Sequence, residues 1–414
     1  MHTRPKILFV TSHWPLGRAY GAQQRTLNIA RLLGRLGDVS LVVVPLGPED
    51  TETARRTARE FSLRLVARAL PAAKGNLIHC LRLRLGHELD PAHLATDRFA
   101  VSESDRCALI DLMQQHDVTW VHSVVAANRF RIGRWPCSVL DVDDIPSRLH
   151  ASSAQVERSP VRRMLDVRMS WIWRRRERLF TERFDALTVC SEHDRRYLGG
   201  HPRIHVVPNG FDPPAAIRRV ALESTRIGFI GTCEWLPNIQ GVKWFIHNVW
   251  PLIRREIPRA ELRLVGLSSD GELAKLASGI AGLGFLEDPS DEIASWSAMI
   301  VPIQWGSGTR IKIAEGFARR CPVVSTTLGA FGYGVRNGEE LLLADRADDF
   351  ASACVQLLRN PEIGEVLAER AHRCFLQQWT WDSFAGSVDA AIQECLTKCS
   401  QTSTEPGVVA AVKL

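Results

Sequence analysis

Nothing in the 414 residues approaches the uninterrupted apolar run that a membrane-spanning helix needs. The opening, MHTRPKILFV, has charges followed only by a short apolar run, Ile7 to Val10, and no small-residue cleavage pattern. It is therefore expected to form a first β-strand and not an export signal, which makes the cytoplasm the expected location. The ten cysteines contain no Cys-x-x-Cys pair, and none sits at finger distance from paired histidines. His13, His122 and His193 are too far apart in sequence to argue for a metal site. No metal is expected, and the cysteines are expected to be reduced, mostly buried small side chains. The basic residues form no recognisable nucleic-acid-binding module, so no nucleic-acid partner is expected.

Charge is present but uneven. Residues 1–208 carry 32 Lys and Arg against 22 Asp and Glu, whereas the whole chain has a net charge of only +6, so the remainder is acidic. The densest basic stretch is Arg174, Arg175, Arg176 and Arg178, beside Trp171 and Trp173. Core tryptophans with outward arginines would explain it. So would peripheral contact with a membrane or a lipid-phosphate headgroup at the inner membrane face.

A chain this long suits two domains, and short β-branched runs alternating with amphipathic stretches argue for βαβ units with parallel sheets. Strands are expected at 6–10, 39–44, 119–123, 138–141, 186–190 and 204–207. A second set is expected at 227–230, 262–265, 282–285, 299–302, 322–325 and 340–343. The helical spacing of Leu27, Ala30 and Leu33 places a helix over 23–36, stopped by Gly37. Between 49 and 108 the pattern is Arg-rich and weakly periodic, and helices are expected there. VPNGFDPP, from Val207 to Pro214, reads as an interdomain linker. The expected organisation is an N-terminal Rossmann-like domain over 1–208, joined by a final helix at about 380–400. A C-terminal Rossmann-like domain covers 209–379, and 400–414 is a loose tail. Two such α/β domains would face each other across a cleft, with ligands beyond the carboxyl ends of the strands.

The strongest local signal runs from Gly306 to Ala318, GSGTRIKIAEGFA, between two expected strands. Its glycines let backbone approach a ligand, and the N–H groups of a helix start favour an anion. Arg310 and Lys312 put two positive charges where the helix dipole alone prefers acids. A diphosphate bound to Gly308, Thr309, Arg310 and Lys312 would account for that. Glu315, one to two turns in, suits sugar or ribose hydroxyls.

The chain resembles the GT-B-fold glycosyltransferases, the family-4-like "glycosyl transferases group 1" and exopolysaccharide sugar transferases. The resemblance rests on several stretches: Gly17 and Gly21 after the first strand, VPNGFD, IGFIGTCEWLPNIQGVKWF, WPLIRREIPRAELRLVG, GTRIKIAEGFA followed by PVVST, and the late Trp379 and Trp381. It implies retaining transfer of a sugar from a nucleotide diphosphate sugar without a bound metal. The acceptor would be a glycan or a lipid-linked acceptor in surface polysaccharide or glycoconjugate assembly. Of the two glutamates that the family commonly spaces by seven residues, the second falls on Glu315 and the first on Ser307. The basic pair often found after the first strand of the second domain is missing from Gly231 to Asn238, which leaves phosphate to Arg310 and Lys312.

In the first domain, Gly17 and Gly21 frame a loop that either closes over donor or acceptor or is a plain βα turn. Asp141, Val142, Asp143 and Asp144 end a buried strand. Crowded carboxylates there could raise one pKa, and Asp143 falls where related enzymes have a histidine near the reacting sugar. The alternatives for that run are a helix N-cap before Pro146 and, as the lesser one, a divalent ion site. His122 at a neighbouring strand end is a second catalytic candidate. Ser191 and Glu192 read as a helix N-cap with an acid in the first turn. Two other readings stand beside the transferase: a catalytically degenerate sugar-nucleotide-binding partner subunit, and a GT-B-type sugar epimerase.

Overall fold

The computed structural model describes residues 4–16, 21–45, 51–71, 85–86, 88–91, 99–216 and 224–403. The chain divides into two compact units. The first comprises Met1–Ser147, Val167–Val207 and Phe384–Leu414, and the second Arg148–Asp166 and Pro208–Ser383.

Nine strands belong to the first unit: β1 (Lys6–Thr11), β2 (Asp38–Val43), β3 (Ser62–Val66), β4 (Leu70–Pro71), β5 (Phe99–Ala100), β6 (Val118–His122), β7 (Ser138–Val142), β8 (Ala186–Val189) and β9 (Ile204–Val206). Seven of them form a parallel sheet in the order β3-β2-β1-β6-β7-β8-β9, and β4 and β5 make a small antiparallel ribbon. Strands β6, β7 and β8 are buried from end to end, which is why their sequences read as continuous apolar runs and not as alternations. Between 49 and 108 helices do form, but strands that were not expected lie between them. Helices form at Thr51–Glu60 and Glu103–Gln114, with β3 and the β4–β5 ribbon between them. Ser62-Leu63-Arg64-Leu65-Val66 is a half-buried edge strand, and its arginine hid its period-two pattern.

The second unit carries β10 (Arg226–Ile230), β11 (Glu261–Val265), β12 (Ile280–Gly282), β13 (Ala298–Val301), β14 (Val323–Ser325) and β15 (Leu342–Leu343). They form a parallel sheet in the order β12-β11-β10-β13-β14-β15. Phe245, Trp250 and Phe350 anchor its core on one face. Both sheets run outward from their first strand and then reverse, the doubly wound Rossmann order, with switch points between β1 and β6 and between β10 and β13.

The last helix, Ala385–Ser403, packs in the first unit against β7, β8 and β9. There the expectation of reduced cysteines is corrected for one pair: Cys137 and Cys399 form a disulfide, which ties the end of that helix to the residue preceding β7. Sequence spacing could not have found it, because 262 residues separate the partners. Lys398 and Arg134 both bind Asp185 nearby, Lys398 at 2.7 Å.

Candidate functional site

Parallel register explains the centre of the first unit. It places His122 of β6 beside Asp141 of β7, and Asp141 beside Thr188 of β8. His122 Nδ1 lies 3.0 Å from Asp141 Oδ2, and the Thr188 hydroxyl donates to Asp141 Oδ1 at 2.7 Å. Arg25, wholly buried on the helix Gly21–Leu36, donates to both Asp141 oxygens, at 3.0 and 2.5 Å, and to the Val207 carbonyl at 3.0 Å. Burial alone would raise the Asp141 pKa, but Arg25 and His122 more than reverse it and hold the carboxyl well below its ordinary range. The raised carboxylate expected in this run is therefore not Asp141. A buried charge of this kind persists only when paired and fully hydrogen-bonded. Beyond the strand end, half-buried Asp143 accepts from the Cys190 thiol at 3.2 Å, and Asp144 is exposed. His13 lies 6.0 Å from His122, ring to ring, and its pKa is lowered to about 4, chiefly by burial and then by His122.

Gly21 is exposed and opens the helix Gly21–Leu36. Gly17 lies outside the described residues. Ser191 is an N-cap whose hydroxyl accepts from the Asp194 N–H at 3.1 Å.

The second unit brings Gly308, Thr309, Arg310, Lys312 and Glu315 together at the carboxyl ends of β10 and β13, the switch point of its sheet. Gly306 and Gly308 have φ of 129° and 72°, conformations open to glycine, so they set the path of the loop. The Gly306 N–H donates to the Ser152 hydroxyl at 2.9 Å, and the Thr309 hydroxyl accepts from the Asn209 N–H at 3.3 Å. Tyr333 donates to the Arg310 carbonyl at 3.0 Å. The helix Ile311–Ala318 then begins with no side chain capping its first N–H groups, and no acid in its first turn. Its start is thus a donor-rich, positively polarised end.

Arg310 is buried. It donates to the carbonyl of Ser307 and lies over the Trp235 ring, 5.4 Å from the centroid, so it also shapes the loop. Lys312 reaches back to β10. Its ammonium donates to Asn238 Oδ1 at 2.8 Å and sits 4.8 Å above the Phe229 ring. At Gly231, just past β10, an added Cβ would lie 3.0 Å from Asn238 Nδ2 and 3.2 Å from Lys312 Nζ. That residue is therefore glycine at a close approach. Burial, and then the neighbouring Arg310 charge, lower the Lys312 pKa to about 7. Glu315 is buried and pairs with Arg319 at 3.1 Å. Burial raises its pKa despite that arginine. Arg319 in turn donates to Ser290 at 2.7 Å and lies over Phe211.

Arg25, Asn238 and Arg319 were not among the sequence candidates. Arg25 was findable: it falls on the apolar stripe with Ile29 and Leu32, where an unpaired arginine would not be tolerated. Among the described residues, one His/Cys/Asp/Glu group has metal-like spacing: Asp185, Cys395 and Cys399. Cys399 is in the disulfide and Asp185 is held by two cations, so the donor set does not suit a metal.

Residues 224–360 match the family model "Glycosyl transferases group 1". A Klebsiella pneumoniae relative, described as an uncharacterized 44.6 kDa protein in a cps region, is 28% identical over 149 residues. That match covers 34% of this chain and spans 38% of the relative's length. Among solved structures, Anabaena HepE in complex with UDP and glucose is similar at a TM-score of 0.61 and 15% identity, covering 97% of this chain and all of that one. Sucrose-phosphate synthase from Thermosynechococcus elongatus has a TM-score of 0.65 and 14% identity, over 95% of this chain and all of that one. Residues 224–360 thus resemble the glycosyl transferases group 1 model, and the chain has the GT-B fold, two parallel α/β sheets in two units, of these solved structures.

Proposed function

We propose that this protein is a retaining glycosyltransferase. It moves a sugar from a nucleotide diphosphate sugar to a glycan or lipid-linked acceptor in surface polysaccharide or glycoconjugate assembly. The observation that carries this reading is the uncapped helix start at Ile311, reached through Gly308 and Thr309 and flanked by the Arg310 and Lys312 cations. Backbone N–H groups and two cations at one helix start are what a diphosphate requires. Negative charge grows on the nucleoside diphosphate as the glycosidic bond breaks, and fixed cations that need no reorganisation favour that change. In this reading Arg310 and Lys312 supply the positive charge, with no call for a metal. Glu315, already oriented by Arg319, accepts from donor hydroxyls through the carboxylate capacity that Arg319 leaves.

On the acceptor side, His122 has Nδ1 committed to Asp141, which leaves Nε2 for acid–base chemistry. Asp143, half-buried at the next strand end, orients or deprotonates the acceptor hydroxyl. Gly17 and Gly21 border the loop after β1 that would close over donor or acceptor. The proposed setting is the cytoplasm, at the inner face of the membrane. HepE was solved with UDP and glucose, and the Klebsiella relative comes from a cps region; both agree with a nucleotide sugar used in polysaccharide assembly.

The test is turnover of a panel of UDP- and GDP-sugars. Nucleoside diphosphate release is followed with glycan and lipid-linked acceptors, and the anomeric configuration of the product is read by NMR. Transfer with retained configuration supports the proposal. Tight donor binding without turnover would instead make the chain a sugar-nucleotide-binding partner subunit, and inversion would sink the retaining mechanism.

A further inference from the structure

The helix Ala385–Ser403 is held in two ways along its length. Val388, Ala391, Ile392 and Cys395, at i, i+3, i+4 and i+7, are wholly buried and form the apolar stripe of a helix that packs on β7, β8 and β9. Beyond them that anchor runs out: Leu396 and Lys398 are half-buried, and Thr397, Ser400 and Gln401 are exposed. Over this last stretch the helix is fastened by the bond from Cys399 to Cys137 and by Lys398 on Asp185. The other end of the bond is fixed. Cys137 sits just ahead of β7 in a left-handed conformation, φ 47°, and its carbonyl accepts from the Thr119 N–H of β6 at 2.8 Å. When the bond opens, the helix end is thus the part released.

Two features suit the bond to exchange. Both cysteines are half-buried, which leaves them within reach of a small thiol. Asp185, with an oxygen within 4.8 Å of the Cys399 sulfur, is paired with both Lys398 and Arg134, so these three groups set one net positive charge beside the bond. Positive charge favours the thiolate that departs in exchange. Cys395, whose sulfur is equally near, is not the attacking group. Burial, and then Asp185, push its thiol up to about 12, so it stays protonated. The exchange partner therefore comes from solution.

We propose that the Cys137–Cys399 bond is a reversible redox latch on the last turn of this helix, opened by low-molecular-weight thiols and closed by their disulfides. A thiolate attacks one sulfur, the S–S bond breaks, and the other cysteine leaves as a thiolate. A second thiol then displaces the first cysteine from the mixed disulfide. Two external thiols become one disulfide, and Cys137 and Cys399 take up the two electrons and two protons. In the cytoplasmic setting proposed above, the thiol pool opens the latch and an oxidising shift closes it. The inference does not depend on the transferase reading, since neither cysteine belongs to the donor or acceptor machinery.

The test is equilibration of the full chain in stepped ratios of reduced to oxidised glutathione, followed by acid quench, alkylation and peptide mass spectrometry. The Cys137–Cys399 link should pass from formed to absent across the series and return when the ratio is reversed. In the reduced form, hydrogen exchange should speed at least about tenfold over residues 396–403, with the amides of β7 and β8 unchanged. The Tm should fall by at least about 5 °C on reduction, because the bond spans 262 residues and restricts the unfolded chain strongly. Cys137→Ser should match the reduced wild type at every ratio, and Cys395→Ser should open and close as the wild type does. A link that stays formed, or stays absent, at every ratio would overturn the inference. So would loss of the transition in Cys395→Ser, or exchange at 396–403 that does not respond to the bond.

Discussion

Three side chains set the pH behaviour of this protein in different ways. Lys312 has its pKa lowered to about 7 by burial and by Arg310. A bound diphosphate favours the charged lysine, so below pH 7 the ammonium is present before and after binding. Above pH 7 the free protein must take up a proton to bind. Donor Kd is therefore expected to be flat below pH 7 and to weaken by up to about tenfold per pH unit above it. Titration calorimetry across that range checks this, and Lys312→Arg should flatten the profile. His13 and Asp141 act on stability instead. His13 has a lowered folded pKa, so its neutral form contributes stability that is complete above its ordinary value and lost as pH falls toward about 4. Asp141 is likewise depressed, and its contribution is present above the ordinary carboxylate pKa and lost only at more acidic pH. Urea denaturation at stepped pH should show loss beginning below about pH 6.5, with the upper part of that loss absent in His13→Gln. Arg25→Leu leaves Asp141 buried with His122 and Thr188 but no full counter-charge. It should destabilise the chain by about 3–5 kcal/mol, against less than about 1 kcal/mol for removing an exposed pair such as Arg359 with Glu256.

At the level of elements, the site is a matter of how tightly a helix and a loop approach the end of β13. The helix Leu236–Trp244 supplies Asn238 to Lys312, and it lies so close to the loop after β13 that a Cβ on Gly241 would sit 2.5 Å from the Pro302 carbonyl oxygen. Gly241→Ala must push that backbone aside. It should cost about 1–3 kcal/mol of stability and weaken donor binding more than Gly386→Ala, whose Cβ meets open space. Calorimetric binding with both variants checks the contrast. Elements were the most legible part of the sequence. The loop and helix of Gly306–Ala318 declared themselves because two cations at a helix start contradict the local dipole preference. Strands β6 to β8 declared themselves because burial on both faces leaves an apolar run. Edge strand β3 stayed hidden because one exposed face admits arginine. The pairing of Arg25 with Asp141 stayed hidden because it joins the helix Gly21–Leu36 to β7 over a separation of 116 residues.

For the whole molecule, the two Rossmann-like sheets follow from repeated βαβ alternation, and their switch points mark where ligands belong. What no local pattern could supply was the tie between Cys137 and Cys399, because it joins segments far apart in the chain. The proposed diphosphate site at Gly306–Ala318 lies within one unit, which makes it the simplest place to test function. Its direct test is a thermal-shift and calorimetric comparison of UDP, GDP and their sugars on the wild type and on Lys312→Ala. One nucleotide sugar should raise the Tm of the wild type in proportion to its concentration over Kd, with Lys312→Ala binding it at least about tenfold more weakly, a loss of about 1.4 kcal/mol or more. Undiminished affinity in Lys312→Ala, or no stabilisation by any nucleotide sugar, would contradict the assignment of Gly306–Ala318 as the diphosphate site.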